Sequence, residues 1–100
     1  MRQVLIQFDF PTGTKQQYDN VWNDLKAAGH EHPKGLSYHV GAEQPNGGWM
    51  VIDVWESEEA FRTFGNVLQP LLEKNDIPVI QPKVLPVYNI YENITQHVSM

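Results

Sequence analysis

The chain of 100 residues has no cysteine, only seven basic residues against twelve acidic ones, and no apolar run long enough to cross a bilayer. Each absence removes a class of function. Without cysteine there is no disulfide framework, thiolate metal site or thiol nucleophile. The few lysines and arginines are scattered from Arg2 to Lys83 and the net charge is -5, so no basic stripe tracks a phosphate backbone and no nucleic-acid partner is expected. The opening MRQVLIQFDF is too short for a signal peptide or a spanning helix, so no membrane partner and a cytoplasmic location are expected. Phosphate loops and nucleophile elbows are missing as well.

What is present is 41% hydrophobic residues, enough for one domain with a small core. Val4, Ile6 and Phe8 alternate with polar residues up to the Pro11-Thr12-Gly13 turn, which predicts a first strand. Thr14 and Gln17 have capping-box spacing, and Tyr18, Val21, Trp22 and Leu25 follow at helical intervals until Gly29. Leu36 to Ala42 alternates again, and Pro45-Asn46-Gly47-Gly48 joins it to a third strand as a hairpin. Ser57 followed by Glu58 and Glu59 opens a second helix. Pro70 predicts a kink or a fresh start in that helix. Val84 to Tyr91 reads as a last strand, with Pro86 placing it at an edge or bulge. The domain then covers residues 1–92, with 93–100 a loosely held tail.

The order β-α-β-β-α-β predicts a ferredoxin-like α+β fold, a four-stranded antiparallel sheet with both helices on one face and the first strand between the third and fourth. Period-two alternation predicts Val4, Ile6, Phe8, Leu36, Tyr38, Val40, Met50, Ile52 and Val54 beneath the helices. The opposite face then holds Leu5, Gln7, His39, Trp49, Asp53, Trp55 and Asn89, an apolar patch around a polar row that a second copy is expected to cover.

Asp53 is the informative residue of that row, because an acid within a strand needs partners. His39 and Gln7 are expected beside it, with Asn89 one strand further. Two readings stay open. His39 and Asp53 act as a base and its orienting group in an aromatic cavity, with Trp22, Trp49 or Trp55 stacking on a ligand and Phe64 among the helix aromatics lining a pocket. Alternatively they form a satisfied polar network that fixes register. His30-Glu31-His32 offers imidazole and carboxylate, but the spacing is poor for a metal and predicts a solvated loop, so no metal is expected.

The run Asp53-Val54-Trp55-Glu56-Ser57-Glu58-Glu59-Ala60-Phe61 resembles the strand-to-helix pattern of the dimeric α+β barrel superfamily, in particular the antibiotic-biosynthesis-monooxygenase-like and stress-responsive barrel proteins. Gly35 to Val40 and Val87 to Ile90 are similar to its small bacterial members. The resemblance spans roughly Gln3 to Tyr91. It implies a homodimer with a small-molecule cavity in each subunit. Some relatives oxidise quinols or polyketide aromatics without metal or flavin, others degrade haem, and many have no known activity. The expectation is therefore a protein that binds a small apolar or aromatic molecule and oxygenates a quinol or aromatic enol without a cofactor, or else a non-catalytic, stress-related ligand-binding dimer. Monooxygenase members commonly carry a histidine on the second helix where this chain has Phe64, and many carry asparagine where it has Gln7.

Overall fold

The structure, a computed structural model, describes residues 2–45 and 47–91. The elements are β1 (Val4–Phe10), α1 (Lys15–Ala27), β2 (Leu36–Glu43), β3 (Trp49–Trp55), α2 (Glu58–Lys74) and β4 (Lys83–Pro86). The strands form one antiparallel sheet in the order β2-β3-β1-β4. This is the expected ferredoxin-like α+β fold. The tail from residue 93 lies outside the described residues.

The helix starts follow the sequence signals. Thr14 accepts from the Gln17 backbone while the Gln17 side chain accepts from the Thr14 backbone, and the Ser57 hydroxyl accepts from the Ala60 backbone. α2 continues as one helix through Pro70, contrary to the expected interruption. Asn66 and Pro70 are both exposed, so water can satisfy the carbonyl that proline cannot serve. β4 ends at Pro86, shorter than expected, and beyond it Tyr88 and Tyr91 are exposed.

The face assignment needs correction in β3 and β2. Register pairs Ile6 with Asp53, Phe8 with Val51 and Val4 with Trp55, and directly opposed residues share a face. Trp49, Val51, Asp53 and Trp55 therefore point toward the helices, and Met50, Ile52 and Val54 point away. Val4, Ile6, Phe8, Val51, Trp55 and Phe61 form one core cluster, and Val21, Leu25, Leu72 and Ile77 form a second between the helices. In β2 an extra residue at Ser37 shifts the register, which leaves Leu36 opposite Trp55 on the helix side and moves Tyr38 and Val40 to the outer face. Both parities of β3 are apolar enough for a floor. The deciding term is volume, since the helix-sheet layer takes the two indoles and the outer face takes the smaller side chains.

Candidate functional site

His39 and Asp53 are directly paired across β2 and β3 on the helix-facing side of the sheet. His39 Nδ1 lies 2.6 Å from Asp53 Oδ1, and the Trp55 indole donates to Asp53 Oδ2 at 3.3 Å. Asp53 is thus a buried carboxylate with a partner on each oxygen, which is what makes its burial tolerable. On the far side of the imidazole, the Tyr18 hydroxyl lies 2.6 Å from His39 Nε2. With Asp53 ionised, Nδ1 is the donor toward it and Nε2 accepts from the phenol. The result is a chain from α1 through β2 to β3: Tyr18, His39, Asp53.

Two features of the sequence build this chain. Tyr18 sits on the apolar face of α1 one turn before Val21 and Trp22, which aims its ring down at the sheet. Gly41, two residues along β2 from His39, is the space the ring occupies. A Cβ there would stand 2.7 Å from the Tyr18 ring and hydroxyl. Tyr18 also lies over His39 with centroids 5.8 Å apart, and Trp22 meets the same imidazole edge-on at 4.9 Å. Burial holds the Tyr18 phenol above its ordinary pKa; a Trp22 hydrogen bond opposes this, and the nearby Asp53 and Asp19 charges add to it.

The chain borders an apolar pocket between helices and sheet, with a cavity of about 80 Å3. Tyr18, Trp22, His39, Trp49, Asp53 and Trp55 contribute to its wall, as does Phe64 from α2. Gln7 and Asn89 do not reach it. Gln7 is opposite Ile52 and so belongs to the outer face, and Asn89 follows the end of β4 beside Arg2 and Gln3. The expected row of Gln7, Asp53, His39 and Asn89 is replaced by one in which Trp55 and Tyr18 flank the pair. Tyr18 was not among the expected site residues. Its signal is indirect, a helix aromatic that becomes informative once Gly41 is seen to leave room beside His39. His30 and His32 are exposed, and no group of three potential metal ligands exists among the described residues.

With this geometry in view, the comparisons with known proteins agree on the fold. Residues 1–66 match the family described as antibiotic biosynthesis monooxygenase. Among solved structures, a mutant of SnoaB, a cofactor-independent oxygenase from Streptomyces nogalater, is similar with a TM-score of 0.63 and 13% identity, over 92% of this chain and 98% of that one. A Bordetella bronchiseptica protein assigned to the antibiotic biosynthesis monooxygenases is similar with a TM-score of 0.55 and 10% identity, over 91% of this chain and 100% of that one. No curated protein matches the chain by sequence. Among the described residues, no helix is long and apolar enough to cross a membrane.

Proposed function

The chain belongs to the antibiotic biosynthesis monooxygenase family, and we propose that it is a cofactor-independent, monooxygenase-like enzyme acting on a quinol or aromatic enol in the cytoplasm. The observation that carries this reading is the Tyr18, His39, Asp53 chain beside an aromatic-walled pocket. A base backed by a carboxylate, next to a cavity suited to a flat ring, is what deprotonation of an enol needs.

In this mechanism the substrate hydroxyl hands its proton to the Tyr18 oxygen as the Tyr18 proton passes to His39 Nε2. Asp53 holds the imidazole in the required tautomer and stabilises the imidazolium that forms, the part an orienting carboxylate plays in other base-carboxylate pairs. The apolar walls exclude water and leave an electron-rich substrate anion to reduce dioxygen. One oxygen atom becomes a new carbonyl on a ring carbon, and the other leaves as water with the two hydrogens that the substrate gives up. Trp22, Trp49, Trp55 and Phe64 supply the stacking surface.

Oxygen uptake with a panel of quinols and anthrones tests the reading. His39→Ala should lower the rate by about 10^2 to 10^4, the usual weight of a positioned base; equal rates would remove His39 from the mechanism. A second reading has its own support, because both ring nitrogens of His39 and both oxygens of Asp53 already have partners within the chain. Such a closed network suits a non-catalytic ligand-binding or stress-related module, for which the same panel would saturate the pocket without oxygen uptake. Either reading includes a homodimer, formed through the outer face of the sheet.

A further inference from the structure

We infer that Trp49 selects the ligand: its indole N–H donates to an oxygen of a single-ring aromatic molecule held in the pocket. This rests on the reading of the pocket as a ligand site. Trp49 Nε1 is buried and has no hydrogen-bond partner among the described residues. The contrast with Trp55 is direct, since that indole is committed to Asp53. A buried donor left unmet is destabilising, and native interiors keep few of them. Tyr18, His39 and Asp53 are engaged with one another, and Thr14 and Gln17 in the α1 cap. Trp49 is the wall residue whose donor is buried and without a partner among the described residues.

The indole is also firmly seated. Its ring lies against Tyr18 with centroids 4.9 Å apart, and its Cβ approaches Gly13 so closely that a side chain there would start 2.9 Å away. Trp49 and Tyr18 thus form one stretch of the pocket wall, and a molecule bound there lies near both. Size narrows the class. A dry apolar cavity of about 150 Å3 takes benzene, whereas the pocket offers about 80 Å3. Even one ring therefore requires the wall to open, for instance by parting of the Trp49 and Tyr18 rings, and three fused rings require a larger opening. The ligand is thus a single-ring phenol or enol with a second oxygen that accepts a hydrogen bond, such as a hydroxyaryl ketone.

Calorimetric titration with phenol, 4-hydroxyacetophenone and anthrone tests this, on the wild-type protein and on Trp49→Phe, which keeps an aromatic ring and removes the N–H. The ketone should bind wild type more tightly than phenol, Trp49→Phe should erase that preference by about five-fold, the weight of one neutral hydrogen bond, and anthrone should bind weakest. In wild type, one indole 15N–1H resonance should move on adding the ketone, and it should be the one missing from Trp49→Phe. A preference retained in Trp49→Phe, an unmoved Trp49 resonance, or anthrone binding as tightly as the ketone overturns the inference and leaves the ligand pocket standing. If none of the three binds wild type, the pocket reading and the inference fall together.

Discussion

Asp53 and Tyr18 show how a buried polar residue can be recognised by what surrounds it. Asp53 was legible in the sequence because an acid between Ile52 and Val54 in a strand demands donors, and His39 comes opposite it through the register that the extra residue at Ser37 sets. Tyr18 was not legible, because a tyrosine on the apolar face of a helix is ordinary core until its hydroxyl is seen to meet an imidazole. Its burial has a measurable consequence. A tyrosine whose folded pKa is raised contributes stability that is fully present below its unfolded value near 10 and is lost as pH climbs above that value. In a spectrophotometric titration, one of the four tyrosines should ionise later than the others, and Tyr18→Phe should delete that late component. A Tyr18→Phe titration with the late component intact would mean that Tyr18 is not the buried phenol.

At the scale of elements, the order of strands and helices was readable from Thr14, Ser57 and the Gly47-Gly48 hairpin, while the facing of β3 and β2 was not. The alternation of β3 is apolar on both parities, so period two gives no sign, and the bulge at Ser37 separates Leu36 from Tyr38 without any local marker. Asp53 is acceptable on the inner face because His39 and Trp55 partner its two oxygens. The same elements set the distance between α1 and β2. At Gly41 the Tyr18 ring comes so close to the strand that an added Cβ would meet it at 2.7 Å. Gly41→Ala should force the Tyr18 ring away from His39, cost about 1–3 kcal/mol as an overpacked contact, and bring the late tyrosine ionisation back toward the ordinary value. Urea melts and the alkaline titration measure both effects. A variant as stable as wild type, with the late component kept, would show that the ring has room to spare.

For the whole molecule, the corrected facing changes what a partner copy would meet. The tryptophans and the Tyr18, His39, Asp53 chain lie inside, so the surface left for association is Leu5, Tyr38, Val40, Met50, Ile52 and Leu85, with Gln7 and Lys83 at one side of it by the register of β2, β3, β1 and β4. In the single chain Val40 is 58% exposed and Leu85 is 50% exposed, side by side with less exposed apolar neighbours. An apolar patch of this kind on a sheet face is covered most simply by its own copy about a two-fold axis. Light scattering at micromolar concentration should therefore give twice the 11.5 kDa chain mass. Val40→Glu places a like charge opposite itself or nearby across such an axis, and it should shift the mass toward one chain with the circular dichroism unchanged. Because Val40 faces away from the pocket, Val40→Glu should still bind the phenolic probes. A wild-type protein that scatters as a single chain at tens of micromolar would rule out the homodimer, and a monomeric Val40→Glu that no longer binds would instead show that each pocket depends on the partner copy.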